Sequence, residues 1–510
     1  MTSPSEPPGR RRTPWQVALA LVAAATLVRL AIGGILPLVP DEAYYWDWSR
    51  RLAPGYFDHP PAIALLIRSG TFLFGPTSLG VRLWPIMAAG ATLVVVATMA
   101  RELDGERAVV WTALLFVCMP LSAVGSMIAT PDAPALLATS LTLLAVMRAL
   151  SSDTAERAVR WWLLAGLALG AGLASKYTVV LVAAGVLVAI IARPRLRPVL
   201  STPGPYLGAG VALALFAPVV LWNASHHYAS FRFQLGHGLG SGGGSALGRE
   251  MELLAGQLAL ASPILFPLMA LAVVRSLRRN QPDDRQALLA IVSLVVFLFF
   301  CASSMRKRVE ANWPALAYIP AAALLGAWPS TERERRWLAV GCAVAGAISV
   351  MLLAHIIHPF TFVPAGEDPT AQLRGWDSLA VAVAAARAGP DSDRIWVGAG
   401  RYQDAAELAF NLRSHPTVFV PNSGGRLNQY DIWPGFFERG HRGDGLVLAT
   451  AVAQTTEEPS IVRTLRPHFD SVSLRSSVAV ERRGDVFFKR AVWVLVGWRG
   501  TWPATTAKAP

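Results

Sequence analysis

The sequence predicts a mostly α-helical, polytopic transmembrane helix bundle of about eleven to thirteen spans, followed by a C-terminal α/β domain. Three observations carry that prediction. The chain is 53% hydrophobic and only 15% charged over 510 residues, with a mean hydropathy of +0.42, too apolar over too great a length for a soluble domain. Runs of roughly 16 to 25 mostly apolar residues, the length that crosses a hydrocarbon core, recur between residues 15 and 358. From about residue 359 the chain turns polar and rich in Gly and Pro. The formal net charge of +13 does not point to nucleic acid, because Lys and Arg fall in short clusters between the apolar runs. Cys118, Cys301 and Cys342 lie inside or at the end of such runs, so no disulfide is implied and a Cys-type metal cluster is excluded.

Taken in order, residues 1–14 read as a disordered cytoplasmic N-terminus and Trp15 to Leu36 as a retained helix, since no clean small-residue cleavage site follows it. Further runs lie near 81–100, 108–127, 131–150, 161–175, 177–192, 206–222, 252–274, 286–303, 312–328 and 337–358, eleven with the first, so that 15–358 forms the transmembrane domain. The pair at 161–192 is short enough to be one kinked segment, and 61–74 reads as a short or re-entrant helix. With the N-terminus inside, alternating crossings place 101–107, 151–160, 193–198, 275–285 and 331–336 in the cytoplasm. Each of these loops carries at least two arginines, as the positive-inside rule requires. The segments 37–80, 128–132, 223–251, 304–311 and all that follows 358 then share the outer face. One outer loop, SSMRKRVEANW at 303–313, breaks the charge rule with Arg306, Lys307 and Arg308 in a row, which marks it as a place for an anionic ligand. GSGGGSALG at 240–248 has the composition of a flexible linker. In the polar remainder, RIWVGAG (394–400), TVFVP (417–421), GLVLAT (445–450) and DVFFKRAVWVLV (485–496) read as strands. The segments 376–388 and 401–412 read as helices, giving an extracytoplasmic soluble domain over 359–510.

Chemistry concentrates in PDEAYYWDWSRRLAPGYFDHPP at 40–61, which sets Asp41, Glu42, Asp47, Asp58 and His59 among six aromatic residues directly after the first apolar run. Carboxylates beside aromatics and a Pro-Pro stop, where a helix leaves the hydrocarbon, suit a polar pocket at a membrane face. The bland alternative is an interfacial belt in which Tyr44, Tyr45, Trp46, Trp48, Tyr56 and Phe57 lie at headgroup depth. Asp41 also suits the cap of a short helix beginning at Glu42, and Thr130 or Asp132 in TPDAP (130–134) the cap of the next. Lys176 interrupts an apolar stretch, where an ionisable group is functional by default unless it snorkels. Arg29, near the outer end of the first helix, either supports Asp41 or snorkels.

The Asp-Glu pair after the first helix, followed by GYFDHPP, resembles the membrane glycosyltransferases of the C superfamily, in the family 39-like branch of protein O-mannosyltransferases and lipid A aminoarabinose transferases. EANWPALAYIPA (310–321), RYQDAAELAF (401–410) and GGRLNQYDIWPG (424–435) extend the likeness along most of the chain. His59 stands where a Lys is common in that branch. The resemblance implies a multi-pass inner-membrane enzyme with its site outside the cytoplasm. Such an enzyme moves a sugar from a polyprenyl-phosphate donor to a glycolipid, a cell-envelope glycan or a protein. That transfer needs a base for the acceptor, cations for the leaving phosphate and a groove for the lipid. Asp41 and Glu42 are the first candidate catalytic carboxylates, and Asp132 joins them because the family carries a second important Asp at that turn. Asp58, His59, Lys176, Arg232, Lys307 and Arg308 are candidates for the donor and its phosphate. His226, His227 and His237, with Asp58 and His59, offer imidazole and carboxylate ligands for a divalent metal, and the aminoarabinose branch has a metal near its pocket; Asp58 and His227 are the metal candidates. The expected partners are the donor, the acceptor and the lipid bilayer, with no nucleic acid. A polyprenyl-phosphate-mannose protein O-mannosyltransferase is the alternative among enzymes. A transporter is the alternative from another class, disfavoured because the ionisable residues gather at one face and not at the midplane.

Overall fold

The computed structural model describes residues 13–240, 243–278, 283–422, 425–452, 458–482 and 485–503. The expected disordered stretch 1–14 falls almost wholly outside the described residues, as do Ser241 and Gly242 of the linker-like segment. The first helix, α1 (Pro14–Ile35), starts on a reciprocal cap. The Thr13 hydroxyl accepts the Gln16 amide, the Gln16 side chain returns to the Thr13 amide, and Pro14 has no N–H to orphan. There follow α2 (Pro40–Ser49), α3 (Ala62–Phe74), α4 (Ser78–Asp104), α5 (Glu106–Cys118), α6 (Pro120–Ala123), α7 (Asp132–Leu150), α8 (Ala155–Leu173) and α9 (Val180–Ala192). The second half of the bundle comprises α10 (Gly204–Ser225), α11 (Ala229–Leu239), α12 (Ala246–Ala261), α13 (Leu265–Arg278), α14 (Asp284–Ser304), α15 (Ala315–Gly326) and α16 (Glu332–Ile357).

Among the described residues six helices, α1, α4, α7, α10, α14 and α16, are long and apolar enough to cross a membrane, and the number rises to eight if each of two bent pairs is one span. The expected count of eleven to thirteen is larger for a physical reason. Composition registers where the chain is apolar and is blind to a break or to a short rise. The run 108–127 bends by 71° after α5, and 252–274 bends by 101° between α12 and α13, where Ser262 takes a φ of +92°. The helices α3 and α15 are apolar but have 13 and 12 residues, which at about 1.5 Å per residue fall short of a core about 30 Å thick.

After α16 the chain forms α17 (Trp376–Arg387), β1 (Ile395–Ala399), α18 (Tyr402–Asn411), β2 (Val418–Phe419), β3 (Gly445–Ala451), β4 (Phe469–Arg482) and β5 (Asp485–Trp498). The sheet runs β2-β1-β3-β5-β4, with β1 parallel to β2 and β3 and the remaining pairs antiparallel. The four predicted strands and two predicted helices are all present. β4 is the addition: FDSVSLRSSVAVER carries too much Ser and Arg to signal burial, and it is a strand because β5 pairs with it from Phe469–Trp498 to Arg482–Asp485.

What positions the site is the way this sheet-bearing part sits on α2. Tyr44, Trp46, Trp48 and Tyr56 share one buried core with Ala399, Ala405, Leu408 and Val447, so the aromatics of 40–61 are interior residues and not a headgroup belt. Each such side chain contributes about 1.5–3 kcal/mol by leaving water. Polar contacts fix the register. Arg50 donates to the carbonyl of His415 at 2.5 Å, Arg51 lies over the Trp433 ring at 4.2 Å, and the Tyr430 hydroxyl donates to Asp47 at 2.9 Å.

Candidate active site

Neighbouring positions on a helix point about 100° apart, and α2 divides the Asp41-Glu42 pair accordingly. Glu42 is fully buried. Its Oε1 accepts Arg82 Nε at 2.7 Å and the Ala129 amide at 2.8 Å. Its Oε2 accepts Arg82 Nη2 at 2.5 Å and the Val39 amide at 3.0 Å. Four donors saturate the carboxylate, which ties α2 to α4 and to the turn before α7. Asp41 is the opposite case. Its side chain reaches solvent although protein crowds it on most sides, and among the described residues no donor is bonded to it. That crowding raises its pKa above the ordinary carboxylate value, with Glu42 adding to the rise and Arg426 opposing it. Nor is Asp41 the cap: α2 begins at Pro40 with Val39 as its cap, two residues before Asp41, and Glu42 supplies the reach-back bond.

Asp58, buried in the loop after α2, accepts the Tyr44 hydroxyl at 2.8 Å and Arg426 Nη2 at 2.5 Å. Burial pushes its pKa up to about 6 in spite of Arg426 and Tyr44. Arg426 comes from the loop after β2 and lies over the rings of Phe233 and Tyr402, 4.7 and 5.6 Å from their centroids. Against the burial that would lower it, the guanidinium is raised by Asp58 and by the phenols of Tyr402 and Tyr44. The Tyr45 phenol is pushed well up by burial and then by the charges of Asp41, Asp58, Tyr402 and Asp132, so three carboxylates surround one ring.

Asp132 opens α7 without any side-chain cap bond. Its oxygens are taken by Lys176 Nζ at 2.5 Å and Asn312 Nδ2 at 3.0 Å, which replaces the capping reading with an inward one. Lys176 is 7% exposed and does not snorkel. Two apolar cavities end on this group of residues. The first, of about 670 Å³, runs along Leu181, Phe216, Phe299 and Phe300 and carries Asp58, His59 and Arg426 at its polar end. The second, of about 380 Å³, is walled by Phe116, Leu136, Leu260 and Ile319 and closes on Asp132 and Asn312.

Three predicted phosphate residues stand elsewhere. Arg232 is exposed on α11; its neighbours Phe231 and Phe233 line the first cavity and it does not. Lys307 donates to the Gly236 carbonyl at 3.2 Å. Arg308 pairs with Glu252 at 2.7 Å, with both side chains largely exposed. The cause is local: α14 ends at Ser304 and Arg249 holds the Ser304 and Met305 carbonyls at 2.9 and 2.5 Å, which fixes the course of the basic loop. The divalent metal does not fit these residues either. Asp58 is engaged by a guanidinium that would repel a second cation, His227 is exposed at a φ of +52°, and among the described residues no three His, Cys, Asp or Glu side chains converge. The His237 side chain lies outside the described residues. Arg426 and Asn312 are site residues that the sequence shows only inside stretches of likeness, GGRLNQYDIWPG and EANWPALAYIPA, and Tyr44 and Tyr45 only as aromatics of 40–61.

Residues 58–222 match the family described as dolichyl-phosphate-mannose-protein mannosyltransferase. Among solved structures, ArnT from Cupriavidus metallidurans shares the fold over 94% of this chain and 97% of its own at 18% identity, with a TM-score of 0.62 in the apo state and 0.64 when bound to undecaprenyl phosphate. Lipid A galacturonosyltransferase RgtD of Rhizobium johnstonii is 30% identical over 321 residues, 62% of this chain and 66% of RgtD. The chain has the fold of ArnT and a sequence likeness to lipid A galacturonosyltransferase over 62% of its length. With six to eight candidate spans among the described residues it is a multi-pass membrane protein. It is also 28% identical over 179 residues to the undecaprenyl phosphate-alpha-4-amino-4-deoxy-L-arabinose arabinosyl transferase of Pseudomonas aeruginosa, a stretch that is 32% of each protein. The matches thus span just under two thirds of RgtD and about a third of the arabinosyl transferase. The family match takes in Asp58, His59, Asp132 and Lys176, while Asp41 and Arg426 lie outside it.

Proposed function

We propose that this protein transfers a sugar from a polyprenyl-phosphate donor to a glycolipid or envelope-glycan acceptor at the outer face of the inner membrane. One observation carries the reading: a carboxylate with no hydrogen-bond partner among the described residues, Asp41, stands in the cluster on which two apolar cavities end. The donor's prenyl chain occupies the larger cavity, and its phosphate lies at the polar end with Arg426. The acceptor lipid enters through the smaller one. Its apolar walls favour a glycolipid over the protein acceptor that the mannosyltransferase family name would imply. The basic loops between the helices support the outward orientation of the cluster and of the sheet-bearing domain.

In the proposed reaction Asp41 takes the proton from the acceptor hydroxyl as that oxygen attacks the anomeric carbon of the donor. The bond from this carbon to the phosphate oxygen breaks, the electron pair leaves with the phosphate, and the configuration inverts. Arg426 neutralises the charge that develops on the leaving group. Glu42 keeps α2 in place and takes no part in the proton transfer. Asp132, with Lys176 and Asn312, borders the acceptor side.

The test is Asp41→Asn, which keeps size and removes basicity. Purified protein should keep its thermal midpoint in detergent and lose transfer from undecaprenyl-phosphate sugars by on the order of 100-fold or more, the usual contribution of a positioned base. Turnover close to that of the unmodified protein would remove Asp41 from the chemistry.

A further inference from the structure

Among the described residues Arg29 is the buried cation that has no ion pair, and this reaction leaves it unused. It is 4% exposed on α1, while the adjoining Leu27 and Val28 are 66% and 51% exposed. An arginine that snorkels runs its guanidinium along the lipid face to the interface; this one turns into the protein. Among the described residues it has no ion pair and a single hydrogen bond, a long one of 3.3 Å from Nη2 to Ser122 Oγ. Arg82 shows what a satisfied buried guanidinium looks like here. It makes five bonds, to both Glu42 oxygens and to the carbonyls of Gly33, Leu36 and Pro37. One turn before Arg29 on α1, the buried Thr26 hydroxyl has no hydrogen-bond partner among the described residues. A cation held at membrane depth without a counter-charge is costly and faces a substrate path as a rule.

Ser122 belongs to the wall of the smaller cavity, together with Ser126 and Thr92, and the same cavity closes on Asp132. An uncompensated charge therefore stands one hydroxyl away from an apolar chamber whose other end is the reaction centre. We propose that Arg29 and Ser122 form an anion subsite of the acceptor: the smaller cavity takes an acidic glycolipid, and a phosphate or carboxylate on its headgroup pairs with Arg29 while a free hydroxyl is offered to Asp41. This rests on the glycosyltransferase reading for the word acceptor and on the geometry alone for the anion.

The probes are a monophosphorylated glucosamine-disaccharide glycolipid and the same molecule after phosphatase treatment, both presented to the full-length protein in nanodiscs. Equilibrium binding should favour the phosphorylated form by roughly 10- to 100-fold, the scale of one charge-assisted contact. Arg29→Gln should bring that ratio towards one, and Arg29→Lys should restore part of it, with binding of undecaprenyl phosphate unchanged in both. Equal binding of the two glycolipids to the unmodified protein overturns the proposal without any variant, so a misfolded Arg29→Gln protein does not shelter it. Equal displacement of the phosphorylated probe by phosphatidylglycerol also overturns it, by making the subsite one for bulk phospholipid. Binding requires no turnover, so absence of transfer from every donor tried would count against the proposed reaction and leave the anion comparison standing. A carboxylated glycolipid tested beside the phosphorylated one tells which anion Arg29 prefers.

Discussion

A carboxylate that must accept a proton is more useful the closer its pKa lies to the working pH, and here Asp41 and Asp58 are both moved that way. Burial raises Asp58 to about 6, crowding raises Asp41, and Arg426 acts downward on each. Both carboxylates must be ionised for the proposed chemistry, one to hold Arg426 and the other to take the proton. Activity should therefore fall as pH drops through about 6, well above the range of an ordinary aspartate. Arg426→Gln removes a cation that lowers both groups, so the acidic limb of kcat/KM should move to higher pH, whereas Arg426→Lys should leave it near its original place. A pH profile that ignores the loss of Arg426 would detach this residue from the carboxylates. Arg426→Gln should also raise the KM for donor more than that for acceptor, because the guanidinium lines the larger cavity.

At the scale of elements, α2 is held as a rigid arm by Glu42, whose bonds reach Arg82 on α4 and the Ala129 amide before α7. Glu42→Ala leaves a buried guanidinium without its counter-ion, a loss of about 3–5 kcal/mol, and the thermal midpoint in detergent should drop with it. Replacing both partners by methionine should recover much of that midpoint yet no activity, since α2 would be packed but no longer aimed. The division of labour between Asp41 and Glu42 shows what sequence does and does not reveal. The pair, its place after the first helix and its aromatic neighbours are all legible. Which acid turns inward depends on α2 starting at Pro40, one residue before the expected cap. Lys176 is visible as a charge in an apolar stretch and Asp132 as the carboxylate of a turn, but not that they pair with one another. The basic run 306–308 announces charge without direction, and the carbonyl of Gly236 and the carboxylate of Glu252 decide where it points. Arg426 was out of reach for a simpler reason: its partner Asp58 lies 368 positions away, and local patterns say nothing about such contacts. β4 escaped for a related one, since its partner and not its composition makes it a strand.

For the whole molecule, the orientation is open to a direct measurement. In a background where Cys118, Cys301 and Cys342 are replaced by Ala, a cysteine at exposed Asp391 should react with a membrane-impermeant maleimide in spheroplasts, and one at exposed Ser201, between α9 and α10, should not. The reverse pattern would put the carboxylate cluster on the cytoplasmic side. The same architecture, with the sheet-bearing part seated on α2, also has a meaning in time. Asp41, Asp58, Asp132 and Lys176 are made early in synthesis, whereas Arg426, the partner of Asp58, arrives 368 residues after it, roughly 20 to 70 seconds later at ordinary elongation rates. On the proposed reaction, the helices and carboxylates are present during that interval, but Arg426 is not yet there to neutralise a phosphate at the polar end of the larger cavity. A nascent or prematurely terminated chain would then be inert towards the donor, and only a finished one active.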